Sequence, residues 1–256
     1  MSAQLADILT LSQATLMVGF LAFLRIGAAM AVLPAFGEQS VPMRVRLGIS
    51  LAFTFVVAPA AQPVLLPVIE SGSNQFLITE TLAGLAIGIV VRFLVISLQV
   101  AGSIAAQSTS LSQLFGGAAV EPAPAMGHLM VIAGLALAVS AGLHVRIAEL
   151  LLSSYDILPA GQFPNPESWV NWGVSRVSHG FGLAFALAAP FVIASLIYNV
   201  ALGVINRAMP QLMVAFVGAP AITAGGLILL TLSTPYLLSA WVNALNGFLS
   251  NPFGGP

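Results

Sequence analysis

FLITETLAGLAIGIVVRFLVISLQVAGSIAAQS, residues Phe76–Ser108, contains no proline and no turn cluster, yet it carries Glu80 and Arg92. As one helix it is about 49 Å long at ~1.5 Å per residue, well beyond a hydrocarbon core of about 30 Å. A charge at mid-bilayer costs about 2.5–3.5 kcal/mol on insertion scales. Glu80 and Arg92 therefore need partners, a wet cavity, or protein in place of lipid. They stand about 18 Å apart along the helix, too far to pair with each other. Thr15–Phe36, TLMVGFLAFLRIGAAMAVLPAF, poses the same problem: Arg25 sits near its middle with no acidic residue in its own segment. The bland reading is that such a side chain lies near an interface and snorkels to water.

The rest of the chain shares this character. Of 256 residues, 59% are hydrophobic and 6% charged, with a mean hydropathy of +1.02. Soluble domains run at about 45–50% apolar and about 25% charged, so this is an integral membrane protein. The net charge of −1 gives no indication of nucleic-acid binding. There are no cysteines, which excludes disulfides and thiolate metal sites. All the basic residues are arginine, at positions 25, 44, 46, 92, 146, 176 and 207. The first ten residues hold Asp7 and no basic residue, unlike a secretory signal.

Six apolar blocks emerge, and the fold class is all-α: an integral membrane protein of long, broken helices. The first block is about Leu11–Leu33, closed by Pro34. The second, Leu47–Ala58, is too short to span unless it continues through Pro59 and Pro63 to Ile69, and AAQPVLLPVIESGSN after it reads as a break and a surface loop. The third is Phe76–Ser108. The fourth, about His128–Leu152, ends in His144, Arg146 and Glu149, an interfacial polar cap. The fifth starts amphipathically at Ser168 and turns apolar from Phe181 to Ile205. The sixth, about Leu212–Leu249, contains Pro220, Gly225–Gly226 and Pro235. Pro34, Pro59, Pro190, Pro220 and Pro235 interrupt these stretches, and broken helices at membrane depth need protein or a cavity around them. Arg44, Arg46 and Arg207 would lie inside if there are six spans, which puts both termini outside.

Gly84 and Gly88 form a GxxxG pair suited to helix packing. No GxSxG, HExxH, P-loop or GxGxxG occurs, and the isolated His128 and His179 make no metal site, so neither catalysis nor a cofactor is expected. GSIAAQSTSLSQLFGG ends the third block in an apolar tip, Leu114 and Phe115, followed by Gly116 and Gly117, which free the backbone. On the residues alone the tip is either a packed loop or a movable plug. A polytopic secondary transporter using Glu80 and Arg92 for coupling is the alternative reading.

Several patterns together resemble the FliR family, the R-type export-gate proteins of the bacterial flagellar type III secretion apparatus. They are Arg25 with Pro34, Phe36–Gly37, Pro42 and Arg46; Glu80-xxx-Gly84-xxx-Gly88; Gly102 through Gln107 with Glu121–Pro122; Gly142 and His144 with Leu158–Pro159 and Gly161; and Leu202–Gly203, Arg207-Ala-Met-Pro210-Gln211, Gly218 and Pro220. The resemblance implies a single membrane-associated export-gate domain over 1–256, built of inverted helical hairpins. It implies assembly with P-type and Q-type subunits and with the B-type switch protein into a pore for unfolded flagellar proteins. That pore belongs to the flagellar basal body at the bacterial inner membrane. It further implies that the Ser108–Ala118 loop plugs the closed pore, and that Arg25, Glu80 and Arg92 are assembly residues facing other proteins more than lipid.

Overall fold

The computed structural model describes residues 2–38, 40–71, 75–109, 125–209 and 214–254. Among them the chain is helical and shows no strand. The helices are α1 (Ser2–Val32), α2 (Met43–Glu70), α3 (Phe76–Ser108), α4 (Ala125–Ser140), α5 (Leu143–Ile157), α6 (Pro166–Ala208) and α7 (Val214–Ser250). Five are long and apolar enough to cross a membrane, and the broken pair α4 and α5 makes a sixth candidate.

α3 has the limits expected of a stretch without breakers. α2 takes the longer of the two readings: no break or loop follows Ala58, and the helix runs through Pro59, Pro63 and Pro67 to Glu70. The reason lies in their spacing. Each proline withholds the N–H that would meet the carbonyl four residues back. At four-residue intervals these losses fall on one row, at the carbonyls of Phe55, Pro59 and Pro63. All three prolines are exposed, while Val57, Ala61 and Leu65 pack inward on the other side. Pro190, Pro220 and Pro235 likewise lie inside α6 and α7. The fourth block is instead two helices, because Gly142 takes φ +86°, the left-handed region that ends a helix. A glycine does not interrupt hydropathy, so an apolar run conceals this break.

The chain divides into two compact units. The first comprises residues 1–93, 139–177 and 246–256. Its core is a stripe on α1, with Leu21, Ala22, Ile26, Ala29 and Leu33 fully buried, against Leu65 of α2, Ile87 and Val91 of α3, and Ile147 and Leu151 of α5. The α1–α2 connection is fixed by Phe36 set edge-on to Phe53 at 5.8 Å.

The second unit comprises residues 94–138 and 178–245. Trp241 is fully buried there, and its indole N–H donates to the Leu94 carbonyl at 2.7 Å. Gly134 makes room for that ring and for Leu98: a Cβ at Gly134 would stand 2.5 Å from Leu98 Cδ2 and 3.3 Å from Trp241 Cζ3. α3 and α4 touch backbone to backbone, since a Cβ on Gly102 would come within 2.4 Å of Gly127 Cα.

Candidate functional site

Arg25 and Glu80 find each other. Arg25 Nε donates to Glu80 Oε2 at 2.8 Å and Nη2 donates to Oε1 at 3.1 Å, a bidentate pair joining α1 to α3. The guanidinium is 1% exposed and the carboxylate 0%. A pair this deep holds only if the remaining donors and lone pairs are also met. Nη1 donates to Ser154 Oγ at 3.0 Å, and Nη2 also donates to the Leu158 carbonyl at 2.8 Å. The Ser154 hydroxyl in turn donates a hydrogen bond to the Leu151 carbonyl at 2.6 Å. Glu80 Oε1 accepts a further bond from the Gly161 N–H at 3.3 Å. The Tyr155 ring lies under the guanidinium at 3.8 Å, a cation–π contact. The node thus ties α1 and α3 to the end of α5 and to the corner that leads into α6. Neither side chain snorkels.

α3 is cut to fit this crossing. Glu80, Gly84, Gly88 and Arg92 fall at every fourth position and so form one ridge. Beside Glu80, a Cβ on Gly84 would stand 2.0 Å from the Arg25 carbonyl oxygen. One turn on, a Cβ on Gly88 would stand 2.7 Å from the Ala29 carbonyl oxygen. Arg92 Nη1 then donates to the Val32 carbonyl at 3.1 Å. Val32 is the last residue of α1, where carbonyls lack intrahelical partners and the helix dipole favours a cation. Arg92 is therefore a cap on α1, a role that its sequence position did not suggest on its own. The signal was available, because Arg92 continues the Glu80-xxx-Gly84-xxx-Gly88 spacing by one more step.

Next to the ion pair opens a cleft of about 640 Å³, lined chiefly by Leu82, Ala86 and Ile89 of α3 and by Pro159, Phe163 and Trp169. Arg25 borders it, but each of its nitrogens is already engaged. The walls offer little to hold a hydrophilic substrate.

The remaining candidates are spread out. Pro42 precedes the first turn of α2 and its carbonyl accepts from the Arg46 N–H at 3.1 Å. Arg46 Nε closes the same corner onto the Val41 carbonyl at 3.0 Å. Arg207 is exposed in the last turn of α6, the end where a cation suits the dipole. His144, Arg146 and Glu149 are all exposed on α5. Leu114, Phe115, Gly116 and Gly117, and also Pro210 and Gln211, lie outside the described residues. Among the described residues no cluster of acidic or histidine side chains could hold a metal ion.

The long apolar helices among the described residues, with a buried ion pair joining α1 to α3 in the first unit, define a polytopic all-α membrane protein. Residues 16–248 match the family described as bacterial export proteins, family 1, and the chain belongs to that family. Its relatives include the flagellar biosynthetic protein FliR of Caulobacter vibrioides, 32% identical over 88% of this chain and 92% of that protein. The FliR proteins of Escherichia coli (28% identical, 85% and 84% covered) and Aquifex aeolicus (29% identical, 93% and 93% covered) are similar along their length as well. The resemblance carried by the sequence motifs holds over nearly the whole chain.

Proposed function

We propose that this chain is a non-enzymatic subunit of the flagellar protein export gate, forming part of the pore for unfolded flagellar proteins. Membership of the export family, with relatives named as flagellar biosynthetic proteins, carries the reading. The surface supports it. Only 22% of the most apolar stretch of α7 and 33% of that of α6 is buried, so these helices have large faces left for neighbours. On α6, Phe181, Phe185, Val192, Leu196 and Val200 line up exposed at helical spacing. In this reading P-type and Q-type subunits cover much of that surface at the inner membrane, the B-type switch protein joins them, and lipid covers the remainder. The whole chain, 1–256, works as one gate subunit, with Arg25, Glu80 and Arg92 setting the shape presented for assembly.

Co-purification tests it. Expressed with P-type and Q-type partners, the tagged chain should elute as one complex, whereas alone it should be polydisperse. A chain that is monodisperse alone and ignores those partners overturns the proposal. The tip at Leu114–Gly117 is proposed as the plug because the resemblance to the FliR family implies it, and its chemistry agrees: apolar side chains exclude ions and glycines permit displacement. Deleting these residues should make cells carrying the assembled gate leak ions, and an unchanged leak removes the plug role.

A further inference from the structure

α6 carries SWVNWGVSRVSHG, Ser168–Gly180, in its first turns and is predominantly apolar from Phe181 to Ile205. Trp169, Trp172 and Arg176 recur at i, i+3 and i+7, on one helix face. The two tryptophan rings lie 5.9 Å apart. The turn after α7 covers this face. The Trp172 indole N–H donates to the Pro252 carbonyl at 2.9 Å, and its ring stacks on Phe253 at 5.3 Å. Arg176 Nη2 donates to the Gly254 carbonyl, and the guanidinium lies 5.5 Å from the centre of the Phe248 ring. Within the turn the Gly254 N–H donates to Asn251 Oδ1 at 3.0 Å, and the Asn251 N–H reaches back to the Gly247 and Phe248 carbonyls at 3.2 Å.

Arg176 is the exception to the pattern set by Arg25. It is 9% exposed, its Nε has no hydrogen-bond partner, and among the described residues no carboxylate pairs with it. A carbonyl dipole and a ring face do not neutralise a guanidinium, and a buried charge without its counter-ion is costly. We infer that Arg176 takes its counter-charge from the phosphate of an anionic phospholipid, seated between the Trp172–Phe253 stack and Phe248. Depth supports a lipid source. Arg176 stands about 7.5 Å of helix before Phe181, matching a headgroup layer of about 5–8 Å outside the hydrocarbon. Tryptophan concentrates at that level, and the arginine fork fits phosphate oxygens. The Asn251–Gly254 turn then acts as a flap whose Gly254 carbonyl occupies one phosphate-oxygen position.

Native mass spectrometry of the full chain in detergent, with phosphatidylglycerol or phosphatidylcholine of matched acyl chains, tests the site. The expected result is about fivefold preferential retention of phosphatidylglycerol, the scale of one basic residue at an anionic surface. Arg176→Gln should remove that preference. Arg176→Lys, which keeps charge and solubility, should retain part of it, so a folding defect in the first variant does not decide the outcome. Equal retention of both lipids by the unaltered chain, or a preference that survives Arg176→Gln, overturns the proposal. Millimolar inorganic phosphate that displaces phosphatidylglycerol completely would reassign the site to a free anion and overturn the lipid source. Absence of lipid preference together with Arg176-dependent capture of an acidic partner subunit would assign the counter-charge to protein, and overturns it equally.

Discussion

Arg25 has no redundant contact. Its fork reaches Glu80, Ser154 and the Leu158 carbonyl at once, and its flat face rests on Tyr155. Removing one member of a buried ion pair leaves the other charged, dry and unpaired, at a cost of about 3–5 kcal/mol. Arg25→Ala and Glu80→Ala should each lower the thermal midpoint in detergent sharply. Arg25→Met combined with Glu80→Leu should recover most of the loss, because two apolar groups need no counter-charge. Arg25→Lys should behave like a loss of function for the node, since one ammonium cannot serve three acceptors in fixed directions. If Arg25→Ala unfolds at the same temperature as the unaltered chain, the pair is dispensable for the fold.

At the scale of the helix, the glycines of α3 are what let the pair form. Gly84 stands four residues after Glu80, on the same ridge, and lets the α1 backbone at Arg25 come close enough for the side chain to reach across. Gly84→Ala should destabilise more than Gly88→Ala, because the added methyl meets an immovable carbonyl at 2.0 Å in the first case and 2.7 Å in the second. Gly48 is the control: a Cβ there meets nothing within 4 Å, so Gly48→Ala should stabilise α2 by about 0.5–1 kcal/mol through helix propensity alone. Thermal melts of the three variants rank them, and any other order contradicts the crossing described. α3 was legible because it lacks breakers, and the Glu80-xxx-Gly84-xxx-Gly88 spacing was legible as packing. The length of α2 was legible only as an alternative to a break, because three prolines on one exposed row act together in a way that their separate propensities conceal. The identity of Glu80's partner was not legible. Arg25 lies on another helix, and hydropathy carries no information about which helices cross.

For the molecule as a whole, the balance lies between what is covered and what is left open. α3, α6 and α7 each contribute residues to both compact units, yet much of the apolar surface of α6 and α7 remains exposed. Ligands that bind only the folded form stabilise it by mass action, about 2.7 kcal/mol at one hundred times the dissociation constant. If the proposed partnership holds, adding P-type and Q-type subunits should raise the thermal midpoint of the chain in detergent, and raise it further as their concentration increases. A midpoint insensitive to partner concentration would leave those faces to lipid.

The four-residue spacing on α3 also acts as a rack, with α1 as the matching pinion. Slide α1 by one turn, about 5.4 Å, and Arg25 faces glycine in place of its carboxylate while Arg92 loses the end of α1. Every tooth disengages at once, and no second notch offers another seat. α1 and α3 therefore form a strut of fixed length, and whatever moves in the first unit must move around that strut.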